Sequence, residues 1–196
     1  MKTTRGDAGA PVKGRGAPSN PEGRFESWLR ETADDGWAPD DAAPPPLKTI
    51  VIREAARSII VGNDSPDIPF DRSINPYRGC EHGCVYCYAR PAHAYVGLSP
   101  GIDFETRIFS KPDAAALLRG ELAASRYACE PITIGGNTDP YQPAERELRI
   151  TRSIIEVLAE CEHPFSIITK NALIERDIDL LAPMAQWRLV RAYVSV

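Results

Sequence analysis

Three cysteines, Cys80, Cys84 and Cys87, stand within the stretch RGCEHGCVYCYAR in the spacing Cys-x3-Cys-x2-Cys. The 196-residue chain has only five cysteines, so three of them share one short segment. Gly79 and Gly83 supply the permissive backbone that a tightly wrapped loop requires. Three thiolates facing one another repel strongly unless a cation holds them deprotonated. The spacing therefore predicts a metal or metal-cluster site.

The number of thiols distinguishes two kinds of metal site. A closed zinc site needs four ligands, for which His82 or His93 could be nominated. His82 lies between two of the cysteines, where reaching the same ion as its neighbours is awkward. A cubane iron–sulfur cluster is fully ligated by four cysteines, so three leave one iron open to bind a small molecule. We favour the reactive cluster and keep structural zinc as the alternative.

Composition limits the class of protein. Hydrophobic residues make up 43% of the chain, enough for a globular core. The net charge of −4 does not indicate a protein held to nucleic acid by bulk charge. No apolar run is long enough to span a bilayer, and the N-terminus lacks the layout of a signal peptide. We expect a cytoplasmic protein without membrane partners, where clustered cysteines are more often metal ligands than disulfides.

The segments around the cysteines alternate between strand and helix patterns. Extended or strand-like segments are KTIVIRE, RSIIVGN, RSINPYRGC, FETRIFS, PITIGG, FSIITKN and RLVRAYVSV. Helical segments are KPDAAALLRGELAASRY, AERELRITRSIIEVLAEC and IERDIDLLAPMA. The second helical segment places Leu148, Ile154, Ile155 and Leu158 near helical spacing. Strands separated by helix-length segments predict an α/β fold with a mostly parallel sheet.

The first part of the chain differs from the rest in composition. Residues 1–46 are rich in Gly, Pro, Asp and Ala and offer few apolar groups to offset the entropy cost of ordering. They are predicted to form a disordered tail, and deletion of residues 1–44 is expected to leave the fold and the cluster intact. Within the tail, Phe25, Trp28 and Leu29 share one helical face, as in a transient helix or a docking motif.

The cysteine motif, with the aromatic Tyr86 just before its last cysteine, resembles the signature of the radical S-adenosylmethionine (radical SAM) superfamily. The wider run SINPYRGCEHGCVYCYARP, followed by TDPYQPAE, is similar to radical SAM proteins related to spore photoproduct lyase. This resemblance covers about residues 63–196. It implies a partial (β/α) barrel of the radical SAM type, with residues 47–196 forming the N-terminal part of the core domain. Because an apolar strand pattern runs to the last residue, we expect the barrel to be truncated at the C-terminus.

The resemblance implies an enzyme with two cofactors, a [4Fe-4S] cluster and S-adenosylmethionine. The reduced cluster would cleave S-adenosylmethionine to a 5′-deoxyadenosyl radical, which removes a hydrogen atom from the substrate. An electron donor such as flavodoxin or ferredoxin would be the protein partner. The substrate is unknown, and kinship with a DNA-lesion lyase suggests nucleic acid by analogy only. The rival hypotheses are a zinc-stabilised, non-catalytic binding module and an inactive truncated relic.

The resemblance also nominates residues for the cofactor. Family members carry a glycine-rich segment after the second barrel strand, often ending in an acidic residue, which meets the amino group of the methionine moiety. The matching stretch TIGGNTDP contributes Gly135, Gly136, Asn137, Thr138 and Asp139. Asn137 stands where the family often has Glu, although its carbonyl oxygen can still accept from an ammonium group. An ordinary βα turn is the alternative for this segment.

Tyr86 borders the adenine in the family picture, or else packs beneath the cysteine loop. Lys170, Asn171 and Ser195 lie at or near later strand ends, where family members often place ribose- or carboxylate-binding groups.

Two pairs of residues complete the candidates. Arg78 and Arg90 flank the cysteine loop, where they would balance its charge, bind substrate, or simply be solvated or paired. Cys129 and Cys161 lie far from the loop in sequence and are predicted to be core residues.

Overall fold

The structure is a computed structural model that describes residues 14–21, 24–25 and 47–195. Its strands are β1 (Ile50–Arg53), β2 (Ile60–Gly62), β3 (Arg72–Ile74), β4 (Tyr77–Arg78), β5 (Arg107–Ser110), β6 (Ile132–Ile134), β7 (Phe165–Thr169) and β8 (Val190–Val194). Its α-helices are α1 (Ile102–Thr106), α2 (Ala114–Leu122), α3 (Glu145–Leu148), α4 (Ile150–Glu160) and α5 (Ile178–Gln186). Two 3-10 helices span Arg90–Val96 and Ala172–Asp177. The mixed α/β class predicted from the sequence is confirmed.

The main sheet has five strands in the order β2-β3-β6-β7-β8. Strand β2 pairs antiparallel to β3, and the pairs β3–β6, β6–β7 and β7–β8 are all parallel. A smaller sheet has the order β1-β5-β4, with β4 antiparallel to β5. The mostly parallel main sheet agrees with the alternation of strand and helix patterns.

The chain divides into two compact units. The first, called here the cysteine unit, comprises the described residues within Met1–Ile50 and the segment Gly79–Ile108. The second, called the sheet unit, comprises Val51–Arg78 and the described residues within Phe109–Val196. The three clustered cysteines belong to the cysteine unit, and the glycine-rich segment belongs to the sheet unit.

The core of the sheet unit follows from apolar periodicity. All three residues of β6 are buried, and β7 alternates between buried and half-buried positions. Helix α4 buries Ile154, Ile155 and Leu158 completely, as their helical spacing predicts. β-Branched residues favour strands, and an apolar stripe favours helix packing. The local sequence pattern therefore predicts β6, β7 and α4.

The predicted long helix over AERELRITRSIIEVLAEC is two helices. Arg149 adopts a left-handed conformation, φ 51°, which separates α3 from α4. The break lets the carboxylate of Glu145 accept the amides of Thr151 (3.0 Å) and Arg152 (3.3 Å), donors in the first turn of α4 that lack partners within the helix. The break also leaves Leu148, predicted near the apolar stripe, 40% exposed.

The segment FETRIFS is also different from its predicted strand. Its first residues belong to α1, and β5 begins only at Arg107. Four successive residues, Asp103, Phe104, Glu105 and Thr106, are buried. A strand directs alternate side chains to opposite faces, whereas a helical turn directs consecutive side chains around its axis. Protein groups surround this turn, so all four consecutive residues are buried.

The described strands form an open sheet, with β2 at one end and β8 at the other. Tyr193 and Val194 of β8 are 52% and 54% exposed. Barrel closure is not seen among the described residues, and the predicted truncation remains a prediction. Val196 lies outside the described residues.

Most of the predicted tail, including Trp28 and Leu29, lies outside the described residues. Residues 14–21 are described and pack within the cysteine unit, where Ala17 is only 5% exposed. Long-range hydrogen bonds hold this short segment, although it is poor in apolar side chains. The disordered tail over residues 1–46 as a whole remains a prediction.

Across the part of the chain that the structure describes, no helix combines the length and apolar character needed to cross a membrane.

Candidate functional site

The cysteine loop follows directly after β4. Cys80 is buried, Cys84 and Cys87 are half-buried, and all three are free thiols. Cys87 packs against a small cluster of Cys80, Ala89 and Phe104. The amide of Cys80 donates to the carbonyl oxygen of Phe104 at 2.9 Å, which fixes the start of the loop.

Both predicted loop glycines are needed for the backbone conformation. Gly79 and Gly83 have φ values of 80° and 64°, in the region that side-chain-bearing residues rarely occupy. A Cβ on Gly79 would lie 2.9 Å from the carbonyl oxygen of Phe104. The loop therefore has the permissive glycine backbone that the sequence predicted.

The three thiols are not gathered around a common point. Among residues 14–21, 24–25 and 47–195, no three His, Cys, Asp or Glu side chains are placed to hold one metal ion. His93 is buried and makes an edge-on contact with Phe104, with ring centroids 5.5 Å apart. Three free thiols on one glycine-bearing loop nevertheless fit a thiolate-ligated cluster in donor type and number.

The two flanking arginines have different surroundings. Arg78 pairs with Glu54 at 2.9 Å in the sheet unit. Arg90 donates to the carbonyl oxygen of Cys84 through Nε (3.1 Å) and Nη2 (3.0 Å) and pairs with Glu105 at 2.5 Å. Arg90 is thus bound to the backbone of the cysteine loop itself.

Tyr86 is 74% exposed, so it is not packed beneath the loop. The neighbouring Tyr88 is also 73% exposed. Partial desolvation and the nearby Cys87 raise the pKa of its phenol. The role of Tyr86 beside an adenine remains a prediction.

In the sheet unit, the glycine-rich segment forms a tight turn after β6. Gly135 has φ 81°, and a Cβ there would lie 2.6 Å from the carbonyl oxygen of Ile168 on β7. A Cβ on Gly136 would lie 2.8 Å from the ring of Phe70. Packing against neighbouring protein atoms therefore accounts for both glycines, and their approach to a cofactor stays a prediction.

Gly135→Ala should destabilise the protein by about 2 kcal/mol, because it adds left-handed strain and a clash with Ile168. Thermal unfolding of the purified variant measures the loss. The matched control is Gly120→Ala in α2, where an added Cβ meets nothing within 4 Å. That change should instead stabilise the helix by about 0.5–1 kcal/mol. An unchanged melting temperature for Gly135→Ala would contradict the packing argument.

The residues after Gly136 are held by hydrogen bonds to β-strand ends. Asn75, just after β3, accepts from the amides of Asn137 (2.9 Å) and Thr138 (3.4 Å). The hydroxyl of Thr138 donates to the carbonyl oxygen of Tyr77 at 2.7 Å. Asn75 was not a candidate from the sequence, although its place between a strand and a proline in SINPY is a typical turn signal.

The carboxylate of Asp139 connects two strand ends. It accepts from the amide of Tyr141 (2.8 Å), the hydroxyl of Thr169 (2.7 Å) and the amide of Lys170 (2.7 Å). By contrast, Asn137 is exposed, and the bonds it makes among the described residues involve its backbone. The two residues therefore differ in how much of their side chain is open to a ligand.

Lys170 and Ser195 meet at the carboxyl ends of β7 and β8. The ammonium group of Lys170 donates to the Ser195 hydroxyl at 2.8 Å. Asn171 accepts from the amide of Leu173 at 2.9 Å and so caps the 3-10 helix that follows. The structure brings Asp139, Lys170 and Ser195 to one edge of the sheet, where ligands of parallel sheets gather.

The core prediction for Cys129 and Cys161 is wrong. Both thiols are exposed and line a surface cavity of about 440 Å³ together with Tyr127 and His163. Cys129 precedes β6 and Cys161 follows α4, so neither side chain belongs to the buried part of a strand or helix. Burial lowers the pKa of His163, whose ring contacts the Tyr127 hydroxyl at 2.7 Å.

Cys161→Ser should leave bound iron unchanged and alter stability by no more than about 0.5 kcal/mol, because the thiol is exposed and far in sequence from the loop. Iron analysis after reconstitution and a thermal melt measure these quantities. Loss of iron in this variant would add Cys161 to the ligand set.

Two buried glutamates were missed from the sequence. Glu105 and Glu145 are both fully buried and accept several hydrogen bonds each. Each lies among apolar residues, in IDFETRIF and AERELRI. An acidic residue within an apolar pattern is the one sequence feature that could have indicated a buried carboxylate. Local pattern could not identify them, because their partners lie up to 89 positions away.

Comparisons with known proteins identify the family of the chain. The family model for the radical SAM superfamily matches residues 74–196. An uncharacterized protein of Mycobacterium tuberculosis and one of Mycobacterium bovis are each 38% identical to this chain over 186 residues. Both alignments cover 86% of this chain and 55% of the relative, so the chain spans about half the length of these relatives.

A more distant relative is an uncharacterized protein of Methanocaldococcus jannaschii. It is 29% identical over 107 residues, covering 55% of this chain and 38% of that protein. No solved structure matches the chain significantly.

Proposed function

Because the chain belongs to the radical SAM superfamily, we propose that it binds a [4Fe-4S] cluster through Cys80, Cys84 and Cys87 and supports reductive cleavage of S-adenosylmethionine. When bound and reduced by an electron donor, such a cluster would supply one-electron reduction of the sulfonium group of S-adenosylmethionine. The observation that carries the proposal is the glycine-bearing loop with three free thiols inside the segment that the family model covers.

The residues of the glycine-rich turn have distinct roles in this proposal. Asp139 orders the turn, because its carboxylate accepts three hydrogen bonds from β7 and the turn itself. Asn137 is exposed beside it, and its carbonyl oxygen is available to accept from the ammonium group of the methionine moiety. We assign Gly135, Gly136 and Thr138 to the shape of this turn.

Tyr86 and the polar pair of Lys170 and Ser195 complete the proposed cofactor contacts. Tyr86 presents an exposed ring that can stack on adenine. Lys170 and Ser195 offer an ammonium group and a hydroxyl that suit a carboxylate or ribose.

The likeness to the spore photoproduct lyase group, with its lyase chemistry, rests on the sequence motifs alone. A nucleic-acid substrate and a flavodoxin or ferredoxin electron donor remain predictions by family analogy. Five free thiols suit a reducing compartment, which supports the cytoplasmic assignment.

Anaerobic reconstitution with iron and sulfide tests the proposal. We expect about four irons per chain, an electron paramagnetic resonance signal after reduction, and a change in that signal on adding S-adenosylmethionine. Formation of 5′-deoxyadenosine under reducing conditions would establish cleavage. Stoichiometric zinc without iron would favour the non-catalytic binding module instead.

A further inference from the structure

Glu105 is a fully buried carboxylate within the cysteine unit. Its oxygens accept from the amides of Gly16 (3.1 and 3.2 Å) and Ala17 (2.8 Å). They also pair with the guanidinium of Arg90 at 2.5 Å. A buried charge is tolerated only with such partners, so the positions of all these groups depend on one another.

Arg90 extends this set of contacts to the cysteine loop. Besides Glu105, its guanidinium donates to the carbonyl oxygens of Cys84, Pro100 and Gly101, at distances of 3.0–3.3 Å. It also lies 5.3 Å from the centroid of the Phe104 ring, and Phe104 accepts from the amide of Cys80. Arg90 therefore contacts the backbone of the second cysteine and the residue that anchors the first.

Residues 14–21, called here the N-terminal strap, contact the same loop from another side. Arg15 donates to the carbonyl oxygen of Glu105 and to the hydroxyl of Thr49, which in turn donates to Glu81 at 2.6 Å. A Cβ on Gly83 would lie 2.7 Å from Cβ of Arg15, and a Cβ on Gly16 would overlap the carbonyl oxygen of Gly83. Glycine at both positions lets the strap and the loop lie backbone against backbone.

We infer that Glu105 is a positioning residue for the cysteine loop, holding it between Arg90 on one side and the N-terminal strap on the other. The benefit of this positioning rests on the proposed function, because a preformed loop lowers the entropy cost of gathering three thiolates around a cluster. The contacts that support it are all made between protein groups, without a bound cluster. It also assigns a role to a segment that composition alone predicts to be a dispensable tail.

The test measures alkylation of individual cysteines by iodoacetamide in the metal-free full chain, read by mass spectrometry. Cys80 is buried at 7% exposure and should react slowly in the unaltered protein. Glu105→Gln removes the charge that Arg90 and the strap share and should speed alkylation of Cys80 by about tenfold, the factor expected for one charge-assisted hydrogen bond. Cys129 and Cys161, exposed in the sheet unit, serve as internal references whose rates should not change.

A second variant keeps the test decisive if Glu105→Gln folds poorly. Gly16→Val retains the Glu105 and Arg90 side chains and their ion pair but forces the strap away from Gly83, and it should also speed Cys80 alkylation. Its control is Gly62→Val in β2, where an added Cβ meets nothing within 4 Å and no change in rate is expected. Equal Cys80 rates in Gly16→Val and the unaltered protein would overturn the inference.

The same variants separate this inference from the proposed function. After reconstitution, Gly16→Val should release iron to a chelator faster than Gly62→Val does. If no variant binds iron but Cys80 still responds, the positioning role stands and the cluster assignment fails. If iron binds normally and Cys80 does not respond, the positioning role fails and the cluster assignment stands.

Discussion

Cys84→Ala is expected to abolish cluster assembly, reducing bound iron from about four atoms per chain to near zero. The two remaining thiolates cannot hold a cubane in place. Cys84 is the middle cysteine of the loop and directly follows the positive-φ Gly83. Iron and sulfide analysis after anaerobic reconstitution measures the loss, together with the visible absorbance of the cluster.

The matched control is Cys129→Ala, which removes an exposed thiol of the sheet unit and should retain full iron content. Circular dichroism of both variants shows whether the fold is intact. Normal iron content and absorbance in Cys84→Ala would remove the three-cysteine assignment altogether.

Glu145→Ala is expected to be the most destabilising change in the sheet unit. Its buried carboxylate pairs with Arg176 at 2.8 Å, accepts the Tyr77 hydroxyl and caps the start of α4. Burial and the neighbouring Glu145 carboxylate raise the pKa of Tyr77, so the phenol remains the donor in that bond. Removing the acceptor leaves these donors unsatisfied at a cost of about 3 kcal/mol, or roughly 6–12 °C in Tm.

Glu160→Ala provides the comparison, because Glu160 pairs with Arg119 on the exposed surface. Water screens an exposed pair of this kind, so the melting temperature should shift by a few degrees at most. A similar shift for the two variants would mean that the buried network around Glu145 has no special weight in stability.

The fold was predictable where burial follows local periodicity. The central strands β6 and β7 and the apolar face of α4 appear as their β-branched runs and helical spacing predict. The prediction of one continuous helix over residues 144–161 is wrong, because Arg149 takes a left-handed conformation that lets Glu145 cap α4, and the apolar pattern continues across that break without marking it.

The candidate site divides in the same way. Spacing alone identified the cysteine loop and the two glycines that shape it, because both are encoded within a few positions. The strap could not be predicted, because a glycine at position 16 acquires its function only when the chain returns at Gly83 and Glu105. Cys129 and Cys161 were misplaced because the apolar character of a thiol does not by itself bring it into a core.

The parallel pairing of β3 with β6 joins Ser73 to Thr133, residues about sixty positions apart. The cysteine-bearing segment Gly79–Ile108 lies inside the loop that this pairing must close. Closing so long a loop costs chain entropy before the strand contacts repay it, which slows folding. During synthesis the three thiols therefore emerge before β6 exists, and they are open to solvent and oxidants while the main sheet is still unformed.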